Sequence, residues 1–237
     1  MKRKKIKPDN IRIAAIDPSP TGTAIVCFKG QYLESFYFTT EAKGVAKKYE
    51  PSAVLLPKPK LADENGRMQR LSIQRELVRS ILCGFQPHYI GLEDYVFGSG
   101  KKSGGVYQIA ELGGVLRLML WESGVKVRTY HPGSVKLAFA QKWRAEKPDM
   151  IEAATRFLKA QESEHLPRFN ELADKYQEGI SDAIGIWYLL RVELRFRNGL
   201  LQVSDMPKHL IRVFNRVTDS MPVCLIDREW MQGGPYV

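Results

Sequence analysis

The order of apolar segments predicts an α/β layered fold around a mixed five-stranded sheet, with the first three strands antiparallel and helices flanking the faces. Two observations carry this expectation. Three strand-like segments, residues 11–16, 23–29 and 32–39, follow one another with only turn sequence between them. Two further short apolar runs, 89–93 and 125–130, each come after a helical pattern, which gives the order β-β-β-α-β-α-β-α-α.

Each element has a local reason. Ile11–Ile16 is rich in β-branched residues and alanine, and Asp17-Pro18-Ser19-Pro20-Thr21-Gly22 breaks it with turn formers. Lys29-Gly30-Gln31 joins the next two strands into a meander. Residues 41–65 carry Pro51, Pro57 and Pro59 among lysines and read as an extended insertion loop. Arg67–Cys83 places Met68, Leu71, Leu77, Val78 and Ile81 at helical spacing, with Gly84 as its stop. Val106–Glu122 is a helix with small residues at Ala110, Gly113 and Gly114, open to close packing. Pro132–Phe139 begins with a proline suited to a first helical turn. Met150–Ala160 and Ser181–Phe196 complete the helices. Residues 1–10 read as a basic arm, 11–196 as one domain, and 197–237 as a less regular extension with an apolar run at Val223–Ile226.

Composition narrows the function classes. With 237 residues, 44% hydrophobic and 26% charged, the chain is an ordinary globular protein with room for one sizeable core. Lys and Arg number 36 against 26 Asp and Glu, a formal charge of +10 that favours a polyanionic partner. Cys27, Cys83 and Cys224 show neither zinc spacing nor a disulfide framework, so a cytoplasmic, reducing compartment is expected. No apolar run approaches the ~20 residues of a membrane helix, so no membrane partner is expected. Met1–Lys7 is basic without a signal-peptide core, and reads either as a phosphate-touching arm or as a solvated tail.

The chemistry concentrates in three acids. Asp17 and Glu93 each end an apolar strand, and Asp182 opens an apolar helix beside Ser181. A carboxylate next to a dry core must be paired or bind a cation. Together the three would form an oxygen-rich site of the kind Mg²⁺ takes. Each has a plainer reading: Asp17-Pro18 as a turn initiator, Asp182 as an acid in the first turn of its helix, Glu93 as the partner of a core arginine. Asp94 competes with Glu93, because strand alternation lets only one of them face the site. His88, His131, His165 and His209 show no metal or catalytic spacing; His131 is nearest the proposed site.

Four motifs give the chain a family likeness: Ile16-Asp17-Pro18-Ser19-Pro20-Thr21-Gly22; Leu92-Glu93-Asp94-Tyr95-Val96-Phe97 with the following Gly/Lys loop and Ala110–Val115; Tyr130–Lys136 followed by Lys147; and Asp182-Ala183-Ile184-Gly185-Ile186. In order and spacing it resembles the RuvC-like Holliday junction resolvases over about residues 11–196. The resemblance implies a ribonuclease H-like version of the five-stranded sheet. It also implies a homodimer that cuts four-way or branched DNA with two Mg²⁺ ions per site, replaceable by Mn²⁺. Asp17 would bridge the ions, Glu93 would bind one, and Asp182 the other. Lys136 and Lys147 would stand near the scissile phosphate, with Lys142 and Arg144 as substitutes if the register differs. Tyr95 or Phe97 would stack on junction bases, and Lys101 and Lys102 would touch the backbone. Two positions depart from the family. Ser19 replaces a glycine, and Gly179 stands where the family has a fourth acid. Glu178, one helical turn before Asp182, is either the substitute ligand or a solvated acid.

Three other functions compete with this one. A ribonuclease H-like nuclease on RNA–DNA hybrids or flaps would carry the same acids. A protein that binds junctions without cutting would not need them. A sugar kinase of the actin-like superfamily would share the turn at Asp17–Thr23 but needs a second phosphate loop, and none is present.

Overall fold

Strand β1 (Arg12–Asp17) sends Ile13 and Ala15 into one core and Ala14 and Ile16 into another, on opposite faces of the sheet. The computed structural model describes residues 10–58, 63–94 and 103–220; for 103–106 and 215–220 it describes the backbone alone. Strands β2 (Ala24–Lys29) and β3 (Tyr32–Thr40) continue from β1 as an antiparallel meander. Their hairpin turns at Gly30, whose φ of 60° favours glycine. Strand β5 (Tyr89–Glu93) joins the other side of β1 in parallel, and β6 (Lys126–Tyr130) joins β5 in parallel.

The sheet has six strands rather than five, in the order β4-β3-β2-β1-β5-β6. The additional strand, β4 (Ala53–Leu55), pairs in parallel with the end of β3. It lies within residues 41–65, which therefore form more than a loop: helix α1 (Lys43–Lys48), β4, and the start of α2 (Glu64–Phe85). Three residues between prolines show no periodicity; β4 exists because Leu56 N–H donates to the Thr40 carbonyl at 2.7 Å and Phe38 N–H to the Ser52 carbonyl at 2.8 Å. Gly84 does not stop α2. The helix runs on to Phe85 and ends at Gln86, whose φ of 51° turns the chain before Pro87.

Helices α2 and α3 (Ser103–Glu122) cover one face of the sheet. The other carries α4 (Pro132–Phe139), α5 (Lys147–Ala160), the short α6 (Leu166–Asn170) and the long α7 (Asp174–Arg197). Gly91 on β5 is the point of closest approach, since a Cβ there would lie 2.6 Å from Ile186 Cγ2. Trp187, fully buried, stacks on Phe28 of β2 at 3.7 Å between ring centroids. Beyond α7, helix α8 (Lys208–Ser220) buries Leu210 and Val213 in this same core. No helix among the described residues is long and apolar enough to cross a membrane.

Candidate active site

The pleat fixes which acids face α7. Asp17 has the parity of Ile13 and Ala15, and Glu93 that of Tyr89 and Gly91, so both point to the α7 side. The β1–β5 register pairs Ile16 with Leu92, which sets Asp17 and Glu93 side by side one step further along. Asp94 takes the opposite face and is ion-paired with Arg117 of α3. Alternation thus decides between the two neighbouring acids.

Asp182 lies in the middle of α7, not at a helix start. Ser181 is therefore no cap; its hydroxyl donates to the Gln177 carbonyl at 2.6 Å. One turn beyond Asp182, Ile186 sits on Gly91, and this contact holds Asp182 over the ends of β1 and β5.

The electrostatics follow from this crowding. Burial pushes the Asp17 carboxyl well above the usual range, and the charges of Glu93 and Glu178 push it further. Glu93 is pushed up to about 8 by burial and then by Asp182. Asp182 is raised by burial and then by Asp17. Asp17 and Glu93 are close enough that each acts directly on the titration of the other. Among the described residues no salt bridge reaches Asp17, Glu93 or Asp182. The field of Lys136, from α4, acts on all three in the opposing direction.

Lys147 is the first residue of α5 and reaches Glu178 at 2.6 Å. Glu178 in turn raises the pKa of both Asp17 and Asp182. The structure therefore brings six expected residues to one place: Asp17, Glu93, Asp182, Glu178, Lys136 and Lys147. At Gly179 a Cβ would lie 3.2 Å from Ala24 Cβ and 3.6 Å from Asp17 Oδ2, so α7 packs closely on β2 where the fourth acid was expected. Tyr95, Phe97, Lys101 and Lys102 lie outside the described residues. Lys142 pairs with Asp149 at 2.5 Å. His131 Nδ1 accepts from Gly133 N–H at the start of α4. Glu93 has no arginine in a salt bridge among the described residues, and the buried arginine of β6, Arg128, pairs with Glu193.

Asp17, Glu178 and Asp182 line a cleft of about 360 Å³ together with Ser19, Thr40, Glu41, Lys147 and Lys175. Its donors are hard oxygens, the type Mg²⁺ and Mn²⁺ take. Among the described residues, no three His, Cys, Asp or Glu side chains form a ready-made metal cage. Mg²⁺ does not require one, since it keeps several waters and takes few carboxylates.

The sequence reading missed the residues that hold the Asp17 turn. Buried Arg70 donates to Glu41 Oε1 at 2.5 Å, to the Pro57 carbonyl at 2.8 Å, and to the Pro20 carbonyl. Gln74, also buried, hydrogen-bonds Thr23. A signal was present: Arg70 and Gln74 fall on the same helical face as Leu77, Val78 and Ile81, where a solvated residue has no place.

Comparison with known proteins agrees with this geometry. The RuvC family model, described as crossover junction endodeoxyribonuclease RuvC, matches residues 60–177, a span that contains Glu93, Lys136 and Lys147. The structure is similar to Thermus thermophilus RuvC, with a TM-score of 0.51, 17% identity, and coverage of 77% of this chain and 97% of that one. T. thermophilus RuvC in complex with Holliday junction substrate gives 0.52 at 16% identity, covering 77% and 96%. The yeast mitochondrial Holliday junction resolvase Ydc2 gives 0.58 at 14% identity, covering 80% and 83%. No curated protein sequence matches the chain.

Proposed function

From a chain that is RuvC-like and built on the ribonuclease H-like fold, we propose a structure-selective endonuclease that cuts four-way or branched DNA by metal-dependent phosphodiester hydrolysis. The observation that carries this reading is the convergence of half-buried Asp17, Glu93 and Asp182 at one end of the sheet, in a chain of net charge +10.

The three carboxylates, with Glu178 at their edge, would hold Mg²⁺ or Mn²⁺. Two such ions, when bound, supply an activated water and neutralise charge on the leaving oxygen. The family resemblance would make Asp17 the ligand shared between them, and Asp17 lies beside Glu93 at the ends of adjacent strands. Lys136 sits where its charge opposes that of the carboxylates and where it would neutralise a phosphate oxygen. Lys147, fixed on Glu178, would do the same from the cleft rim.

Symmetric resolution needs two nicks and therefore two sites, which suits a two-fold dimer. Helix α3 offers the seat for a second copy. Tyr107, Leu118 and Trp121 are exposed along one of its faces, beside Gly114, whose missing side chain leaves open space.

The test is cleavage of a synthetic four-way junction, a nicked flap and an RNA–DNA hybrid, each with Mg²⁺, by the wild type and by Asp17→Asn. Junction cleavage lost in the variant with junction binding retained is the expected result. Cleavage by Asp17→Asn at the wild-type rate overturns the site, and preference for the hybrid overturns the substrate.

A further inference from the structure

Besides Lys147, the cleft has lysines along its rim that the chemistry of the carboxylates does not use. Helices α1, α5 and α7 all begin at the edge of the sheet where β1 and β5 end, and each has a lysine in its first two positions: Lys43, Lys147 and Lys175. For the two long helices this is the less favourable end for a cation, because the helix dipole is positive there. Lys147 is offset by Glu178. Lys175, which lines the cleft, has no ion-pair partner among the described residues; it lies over the Tyr176 ring at 4.7 Å. Lys43 and Lys47 are exposed, one helical turn apart on α1, and likewise have no salt bridge among the described residues.

These lysines have fixed positions relative to the cleft. The cleft wall passes from Tyr176 to Thr40, whose hydroxyls lie 2.6 Å apart, and then to Glu41, from which the chain enters α1. Arg70 holds Glu41 to the same guanidinium that binds the turn after Asp17. The direction from Asp17 to α1 is therefore set by a buried hub rather than by a free loop. The opposing charges nearby are few: Glu41 is taken by Arg70, Glu171 pairs with Lys48 at 3.7 Å, and Asp174 stands exposed beside Lys175. Residues 41–58, which build this wall, precede the span that the family model matches.

We propose that Lys175, Lys43 and Lys47 form a phosphate-binding track that carries a duplex arm of the DNA away from the cleft along the edge of β3 and α1. The proposal rests on the nuclease reading above and extends it to the path of the substrate. A run of exposed lysines at one end of a phosphodiester site recognises backbone charge, not bases.

The experiment uses the full chain carrying Asp17→Asn, so that a four-way junction is bound without being cut. The affinity is measured against KCl concentration, with and without Lys43→Gln, Lys47→Gln and Lys175→Gln. Each phosphate contact contributes about 0.9 to the slope of log affinity against log salt. The triple variant should lose about two to three in slope, and each single variant about one. Lys159→Gln, an exposed lysine at the far end of α5, should leave the slope unchanged. An unchanged slope in the triple variant, or an equal loss in Lys159→Gln, overturns the track while leaving the nuclease reading intact. Failure of the Asp17→Asn parent to bind the junction overturns both.

Discussion

Helix α7 carries two carboxylates turned towards the core, half-buried Asp182 and buried Glu193, three turns apart on one face, and their surroundings differ completely. Glu193 is 1% exposed and fully served: Arg128 donates at 2.9 Å, Tyr130 at 2.6 Å and Arg197 at 2.8 Å. Asp182 faces other acids, Asp17 and Glu178; the charges of Lys136 and Lys147 oppose its own, and Lys147 is ion-paired with Glu178 rather than with Asp182. The first arrangement completes itself within the chain. The second leaves negative charge crowded at the end of a sheet, and among the described residues no salt bridge reaches Asp17, Glu93 or Asp182. A buried charge with its donors in place is structural, whereas buried like charges without donors are suited to an external cation.

The comparison breaks most sharply under mutation. Asp17→Asn should lower Mg²⁺-dependent junction cleavage by at least on the order of 10²–10³-fold. The same variant should melt no lower than wild type in EDTA, because it removes a repelled charge. A large fall in its melting temperature would make Asp17 a structural residue like Glu193. Glu193→Ala should do the opposite, destabilising the fold by about 3–5 kcal/mol because Arg128 would be left buried without its partner. Denaturant unfolding reads this directly, and a loss below about 1 kcal/mol would remove the contrast.

The pH dependence sharpens it further. The ordinary value for Glu93 is 4.5 and its folded value is about 8, so the folded state holds its proton more tightly than the unfolded chain does. The contribution to stability is then fully present below 4.5 and is lost as pH rises towards 8. Asp17 and Asp182 are shifted in the same direction and add to the slope. The metal-free protein should therefore melt at a lower temperature at the top of this window than at its bottom, and Glu93→Gln should flatten the trend. Added Mg²⁺ should raise the melting temperature more at the higher pH, where the ligands are ionised. A flat profile for the wild type would show that the acids are not crowded in solution. The smallest effect expected is that of Glu178→Gln, which should raise the Mg²⁺ needed for half-maximal cleavage about 10-fold. No change would assign Glu178 to Lys147 alone.

The legible part of the site was its acids, because a carboxylate at the end of an apolar strand is visible in one dimension. Asp17, Glu93 and Asp182 each stood out against a hydrophobic run. The supporting residues were harder to find. Arg70 and Gln74 look solvated until their helix is placed against the turn they hold. Strand β4 has no pattern of its own and exists only through hydrogen bonds to β3. Glu178 and Gly179 were ambiguous because one residue rotates a helix by about 100°, and which of the two meets Asp17 depends on how α7 lies on β2.

The chain alone established the meander, the two parallel strands, helices α2 to α5, the later part of α7 and the acids of the site, but not α1, α6 or α8. These follow from periodicity and turn chemistry, which act over a few residues. It also determined the basic charge, which is a sum and needs no geometry. Only the tertiary structure decided that Glu93 and not Asp94 faces Asp17, that Asp182 sits within a helix rather than at its start, and that Arg128 serves Glu193. Each depends on which groups distant in the chain meet across a packed interface. Pleat parity, the approach of α7 at Gly91, and the hub at Arg70 settle that in three dimensions.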